Sequence, residues 1–288
     1  MRILVTGGVG FVGTNLIKRL LKDGHDVVSI DNYSTGFKEN EQDGCEYCNI
    51  DISSVSSNAG LTNFYRNTFD VIFHMAALAR IQPSITNPSE TLKNNFESTL
   101  NILEYARENN TQVVYAGSSS KHHGLWGSPY AWSKYSGEQL CKLYSEVYDL
   151  STTICRFYNV YGPHHIRSGT YATVLGIFEQ QCLDEKPLTI VGDGEQRRDF
   201  THINDIVDGL VKCIGKTYKA EEFELGSGKN YSINEIADMF NHETTHIAAR
   251  PGEYDVTLCD YSKAENYLGY KPTVNIKTYI RQWLEENK

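Results

Sequence analysis

The 288-residue chain reads as an α/β protein, a doubly wound parallel sheet with a smaller C-terminal lobe. Three observations predict this. Through about residue 160, short apolar runs alternate with longer amphipathic ones, the rhythm of strands joined by helical crossovers. A glycine-rich turn closes the first apolar run, at Gly7–Gly13. Past Tyr161 the rhythm breaks: Gly and Pro become frequent, strands shorten and helices are irregularly spaced.

The elements follow in order. Ile3–Thr6 is a strand and Phe11–Lys22 a helix. Asp26–Ile30 and Cys45–Ile50 are strands, and so is Asp70–His74. A long helix covers Ser89–Asn109, followed by strand Gln112–Ala116, helix Ala131–Tyr148 and strand Thr152–Arg156. Strands alternating with helices of this length imply a parallel sheet covered on both faces, with right-handed crossovers. In the later lobe the strands are Leu188–Val191, Glu222–Leu225 and His246–Ala249. The expected division is residues 1–160 for the first domain, to which later segments can add strands, and 161–288 mainly for the second.

Composition excludes several classes. Hydrophobic residues at 40% and charged residues at 22% are those of a globular chain. A net charge of −9, from 27 basic and 36 acidic side chains, argues against a general nucleic-acid binder. No apolar run approaches the ~18–20 residues that span a bilayer. The N-terminus enters a strand at Ile3 with no signal-type apolar segment, and the seven cysteines form an odd, scattered set. The expectation is free thiols in the cytoplasm. Cys45 and Cys48 make a lone CxxC without the second pair a zinc site wants, so no metal is expected.

The chemistry is carried by two constellations. After the first strand, Gly7, Gly10 and Gly13 are spaced GxxGxxG and open a helix. Such glycines permit the tight turn, close approach of backbone to a pyrophosphate, and close helix–sheet packing. The helix N-terminus then offers N–H groups to the phosphates. Asp31 closes the second strand 18 residues after Gly13, where a carboxylate accepts the adenosine ribose hydroxyls and repels a 2′-phosphate. This is a Rossmann-type NAD site. The second constellation is the serine-rich strand end Gly117-Ser118-Ser119-Ser120, with Tyr130 and Lys134 four residues apart on one helix face. A tyrosine of ordinary pKa ~10 is a poor base near neutrality. A nearby ammonium and a positive nicotinamide ring lower it, and a serine hydroxyl relays the proton.

These motifs resemble the extended short-chain dehydrogenase/reductases, and further ones resemble the NAD-dependent sugar-nucleotide epimerases and dehydratases among them, the UDP-hexose 4-epimerases above all. Asp31-Asn32-Tyr33-Ser34-Thr35-Gly36 is similar to their DN-x-STG, His74-Met75-Ala76-Ala77 to H-x-A-A, and Asn94-Asn95 to the N-N before the long helix. Arg156–Pro163 resembles R-x-x-N-V-Y-G-P, Gly192–Phe200 resembles G-D-G-x-x-x-R-D-F, and Arg250–Glu253 resembles R-x-G-D/E. The resemblance runs from Arg2 to about Trp283 in family order.

It implies that Gly7, Gly10, Phe11, Val12 and Gly13 hold the NAD pyrophosphate, Asp31 and Asn32 the adenosine ribose, and Asp51 and Ile52 the adenine. It adds Ala76, Ala77 and Asn94 to the cofactor site. Tyr130 and Lys134 are implied to be catalytic, Lys134 also holding the nicotinamide ribose. Asn159 contacts the substrate near sugar and diphosphate, Arg198 and Arg250 clamp the diphosphate, Leu188 and Ile190 flank the nucleobase, and Glu253 takes its ribose. The implied reaction is inversion at C4 of a nucleotide-diphosphate hexose, with UDP-linked sugars as substrates, NAD as cofactor and a homodimer as the assembly.

The departures matter too. Where the family has V-Y-G after its serines, this chain has Lys121-His122-His123-Gly124. Counting from the strand makes Ser118 the catalytic hydroxyl; counting back from Gly124 makes it Ser119. The serine-to-tyrosine segment is about half the family's usual length, which places Lys121, His122 and His123 at the pocket entrance. Ala79 stands where some 4-epimerases carry a lysine. Seven residues on from Arg250 stands Thr257, at the position that abuts the sugar's C2 substituent; its small side chain leaves room for N-acetylhexosamines. A 4,6-dehydratase or decarboxylase needs an acidic residue after the serine, and Ser119-Ser120-Lys121 offers none. A non-catalytic nucleotide sensor on the same fold would typically have lost the Tyr/Lys pair.

Overall fold

The computed structural model describes residues 1–55, 69–250, 252 and 254–287. The chain opens with strand β1 (Arg2–Thr6), helix α1 (Phe11–Lys22), and strands β2 (Asp26–Asp31), β3 (Cys45–Asn49) and β4 (Val71–His74). Helices α2 (Ile81–Thr86) and α3 (Pro88–Asn109) lead to β5 (Gln112–Ser118), the short helix α4 (Ser120–Gly124), α5 (Pro129–Tyr148) and β6 (Thr152–Phe157). Then come β7 (Val160–Tyr161), α6 (Val174–Leu183), β8 (Leu188–Val191), β9 (Arg197–Asp199), β10 (Thr201–His202), α7 (Ile203–Val211) and β11 (Lys219–Leu225). The chain finishes with β12 (Asn230–Ser232), α8 (Ile233–Phe240), β13 (Thr244–Ile247), α9 (Ser262–Leu268) and α10 (Ile276–Glu286).

Among the described residues, seven strands form one parallel sheet in the order β11-β6-β5-β4-β1-β2-β3. The strand expected at 222–225 in the later lobe is instead the edge of this main sheet, paired with β6. Its half-buried glutamates hid the assignment, because an edge strand alternates and lacks the continuous apolar run of a central one. The strand expected at His246–Ala249 lies two residues earlier, paired in parallel with β8. Asn94 and Asn95 lie inside the long helix, as the expected range Ser89–Asn109 has them.

The strand order reverses between β1 and β4. A crevice opens at such a switch point beyond the strands' C-terminal ends, and ligands bind there. One face of the sheet is covered by α1, α7 and α9, through Leu16, Leu20, Ile206, Leu210 and Leu268. The other is covered by α3 and α5, through Ile102, Leu103, Cys141 and Tyr144. A third apolar cluster, with Phe178, Leu188, Ile190, Phe240, Ile280 and Trp283, is the core of the second lobe.

Candidate active site

The turn after β1 is built for close approach. Gly7 has φ +71°, and a Cβ there would stand 2.9 Å from the backbone of Ala76 beyond β4. A Cβ on Gly13 would stand 2.1 Å from the Gly7 carbonyl oxygen, so α1 can begin this near the turn only without a side chain. Gly10 is the extended N-cap of α1, and no side chain caps the first turn. The amides of Phe11, Val12 and Gly13 therefore head the helix with its positive dipole end, as an anionic pyrophosphate requires.

Asp31 ends β2, buried, and accepts hydrogen bonds from the amides of Val9 (3.1 Å) and Tyr33 (2.8 Å). Burial raises its pKa, with those amides opposing. A carboxylate accepts about four hydrogen bonds, so capacity for ribose hydroxyls remains. Turn and carboxylate together fit NAD. The adenine side fits less directly. Asn32 accepts from the Ser34 amide at 3.1 Å. Asp51 is committed to its own turn, accepting from the Ser53 amide and hydroxyl. Ile52 is buried in the core beneath the sheet, not presented beside it.

Tyr130 stands in the first turn of α5, which Ser128 caps by accepting from the Ala131 amide. The Tyr130 hydroxyl donates to Ser118 Oγ at 3.4 Å, and Ser118 Oγ also accepts from the Ser120 hydroxyl at 2.9 Å. Of the two candidate serines, the structure brings Ser118 to the phenol; Ser119 is the N-cap of α4. Burial raises the Tyr130 pKa, while the Ser118 hydrogen bond and the Arg80 charge pull it down. Lys134 is buried one turn on, its ammonium 4.4 Å from the Tyr115 ring centroid. Burial lowers its pKa to about 8, with the Glu138 charge opposing.

Sequence reasoning missed the groups that fix this pair. Asn95 binds the Leu78 amide (2.8 Å) and Ser133 Oγ (2.9 Å), tying the segment after β4 to α5. Asn94, its assigned neighbour, is only half-buried, as are Ala76 and Ala77. His74 Nδ1 meets Thr6 Oγ1 at 2.8 Å and Nε2 meets Thr99 Oγ1 at 3.2 Å. Burial, with the Lys134 charge second, lowers its pKa to about 3, so it is a neutral structural bridge between β1, β4 and α3. The H-x-A-A and N-N motifs carried that signal without revealing which atoms it joined.

The substrate side departs further from expectation. Leu188 and Ile190 point into the second lobe's core and cannot flank a base there; the alternate residues of β8, Thr189 and Val191, are half-buried. Thr257 is also buried: its Oγ1 accepts from the Asp199 amide (3.1 Å) and the Asn159 side-chain amide (3.3 Å). In this extended segment the exposed side chains are its neighbours Val256 and Leu258. Asn159 is exposed at φ +25°, and its amide also donates to the Asp199 carbonyl. Arg198 is buried in β9 and Arg250 exposed; Glu253 lies outside the described residues. Lys121 and His122, expected at the pocket entrance, pair with the edge strand β11, and the side chain of His123 lies outside the described residues. Lys121 reaches Glu222 (3.2 Å) and His122 reaches Glu224 (2.8 Å), clamping α4 to the acidic edge strand that Arg156 also binds.

Sheet order and glycine turn define a Rossmann-type nucleotide-binding fold, and the Ser118–Tyr130 contact lies at the C-terminal end of β5 in that sheet. The family is specified by comparison. The model of the NAD dependent epimerase/dehydratase family matches residues 3–226. The UDP-glucose 4-epimerase of Mycolicibacterium smegmatis is 31% identical over 310 residues, covering 99% of this chain and 98% of its own. The UDP-glucose 4-epimerase of Thermotoga maritima, solved with UDP-glucose, superposes with a TM-score of 0.91 at 27% identity, over 99% of this chain and 98% of that one. The UDP-glucuronic acid 4-epimerase of Bacillus cereus, solved with UDP-glucuronic acid and NAD, superposes with a TM-score of 0.87 at 28% identity over the full length of both. The chain belongs to the NAD-dependent epimerase/dehydratase family.

Proposed function

We propose that the protein inverts C4 of a nucleotide-diphosphate hexose, UDP-glucose and UDP-galactose being the first pair to test. The observation that carries this reading is the Tyr130 hydroxyl 3.4 Å from Ser118 Oγ at the C-terminal end of β5. Bound NAD supplies the hydride acceptor, and in reduced form the donor, that oxidises and re-reduces C4. Tyr130, ionised, takes the proton of the C4 hydroxyl and returns it once the sugar has presented its other face. Ser118 orients that hydroxyl and relays the proton. Lys134 adds positive charge beneath the site. Arg198 and Arg250 hold the diphosphate, whose geometry suits guanidinium forks, and Asn159 contacts the substrate where sugar meets diphosphate.

A dehydratase or decarboxylase reading is disfavoured by the strand end itself, since Lys121 follows the serines and Glu222 and Glu224 are paired with cations. As assembly we propose a homodimer, through the outer face of α5. Leu143, Val147 and Tyr148 are exposed there, and the first two share one helical stripe. The seven free thiols are in keeping with a cytoplasmic protein.

The test is incubation with NAD and UDP-glucose, UDP-galactose, their N-acetylhexosamine counterparts and UDP-glucuronate, with products read by NMR. A C4-inverted sugar is expected. A 4-keto-6-deoxy sugar or a decarboxylated pentose would replace this reading by the dehydratase or decarboxylase one, and no turnover on any of them would favour a nucleotide-binding role.

A further inference from the structure

The R-x-x-N-V-Y-G-P stretch ends at Pro163, and the two histidines after it belong to no motif. All three residues grip α1. The Pro163 carbonyl accepts from the Asn15 side-chain amide at 2.9 Å. His165 is the anchor: its Nε2 meets the buried Glu179 Oε2 at 2.7 Å, and its ring stands edge-on to Phe11 with centroids 6.0 Å apart. Between them His164 is held at φ +67°, a left-handed conformation uncommon for any residue but glycine. Both of its ring nitrogens are engaged. Nε2 stands 2.6 Å from Lys18 Nζ, and Nδ1 stands 2.9 Å from Asn40 Oδ1.

The partners fix the ring's tautomer. An ammonium only donates, so Nε2 accepts from Lys18. Nδ1 therefore carries the proton and donates to Asn40 Oδ1, while Asn40 Nδ2 donates to the Val9 carbonyl at 3.0 Å. Each group in the series Lys18–His164–Asn40–Val9 has the partner its chemistry asks for. Burial, with the Lys18 charge second, lowers the His164 pKa, in keeping with a neutral ring. Neighbouring charges do not compete: Arg19 pairs with Asp23, and Glu41 accepts from the Tyr33 hydroxyl. The series joins three parts of the cofactor site. Val9 belongs to the glycine turn, Lys18 to the helix that begins there, and Asn40 to the segment that leaves β2 after Asp31. That segment lies directly on the turn: the Phe37 amide donates to the Val9 carbonyl at 3.3 Å, and a Cβ on Gly36 would stand 2.7 Å from the same oxygen. Its far end is fastened to α1 through His164.

We infer that His164 is a positioning residue for the cofactor, the pin that holds residues 32–40 down on the glycine turn and so slows the departure of bound NAD. The turn and Asp31 are the groups that fit NAD, and the pinned segment runs from one to the other. Opening it means breaking the ring's two hydrogen bonds. The benefit of such retention rests on the epimerase reading. An epimerase returns to C4 the hydride it took, so NAD ends each turnover unchanged and need not be exchanged. The pinning itself depends only on the bridge.

The test is the rate of NAD release, measured with no sugar present. Holoenzyme loaded with radiolabelled NAD is chased with excess unlabelled NAD. His164→Gly keeps the left-handed backbone without cost and deletes both ring bonds. It should release NAD about tenfold faster, as the loss of two hydrogen bonds of ordinary worth predicts. Lys18→Met removes one partner from a different element and guards against a variant that fails to fold; release should be several-fold faster. The double variant should be no faster than His164→Gly, because the Lys18 effect passes through the ring. His164→Gln, which can accept from Lys18 and donate to Asn40, should restore slow release. A merely structural role would lower the melting midpoint of the NAD-free protein and leave release unchanged. Release at the wild-type rate in folded His164→Gly overturns the inference, and so do additive effects in the double variant. Faster release, with no turnover of any sugar nucleotide by the wild type, supports the pin and overturns the epimerase reading.

Discussion

The cofactor crevice and the substrate lobe make an instructive pair. In the crevice, the residues that matter are glycines and strand ends, and their chemistry depends on the backbone. Gly7 and Gly13 stand where a Cβ would collide with Ala76 or with Gly7 itself. In the lobe, the expected residues are side chains on short strands, and three of them turned inward: Leu188, Ile190 and Thr257. A pattern that fixes backbone shows in the sequence itself, as the glycine spacing does. One that depends on which face of a short strand meets the ligand fails by a single residue, because successive side chains point opposite ways.

The largest effect belongs between the two regions. Tyr130→Phe removes one oxygen, from a hydroxyl that among the described residues bonds Ser118. Turnover should fall by about 10²–10⁴, the usual worth of general acid–base catalysis. Thermal midpoint and NAD affinity should stay near wild type, and near-normal epimerisation would remove Tyr130 as base. Next comes Gly13→Ala. The added methyl would stand 2.1 Å from the Gly7 oxygen, so α1 must retreat from the turn. Overpacking costs about 1–3 kcal/mol. NAD affinity, read by fluorescence titration, should fall at least as far as stability; a variant that binds NAD normally would show the turn to be less tight than described.

Much of the fold was legible because its strands are buried on both faces, as β1, β4 and β5 are, and their apolar runs stand out. The edge strand β11 was misplaced because Glu221, Glu222 and Glu224 alternate with its buried residues. In the site, the glycine turn, Asp31 and the Tyr130–Lys134 pair could be found because spacing encodes them. The docking of α2 on α5, where Ser84 Oγ accepts the Tyr130 amide, could not be found, because no local pattern records it. The choice between Ser118 and Ser119 likewise needed the three-dimensional reach of Tyr130.

Thr257 tests the lobe. Were it a pocket wall, Thr257→Val would leave stability alone and shift the balance between plain and N-acetylated hexoses. Buried as it is, with Oγ1 accepting from Asp199 and Asn159, its loss leaves those donors unpaired. A cost of about 1–3 kcal/mol is expected, read as a lower midpoint in urea, with both sugars affected alike. A selective change in sugar preference at unchanged stability would restore Thr257 to the pocket.

The smallest effect returns to the crevice and separates two roles of one side chain. Asp31 is expected to discriminate against NADP by its charge, yet in the structure it also holds the Val9 and Tyr33 amides, and so the turn itself. Asp31→Ala removes both functions. NAD should bind more weakly, by roughly tenfold for a lost hydrogen bond or two, and NADP should gain relative to NAD. Asp31→Asn keeps one accepting oxygen but removes the charge that repels a 2′-phosphate. If charge alone governs the choice, Asn and Ala should relax the NAD/NADP ratio equally, while only Ala lowers stability. If the ratio moves in Ala and not in Asn, the discrimination comes from the shape of the turn that Asp31 organises. The two variants, titrated with both nucleotides and melted without them, decide between these. A wild type that prefers NADP would overturn both accounts.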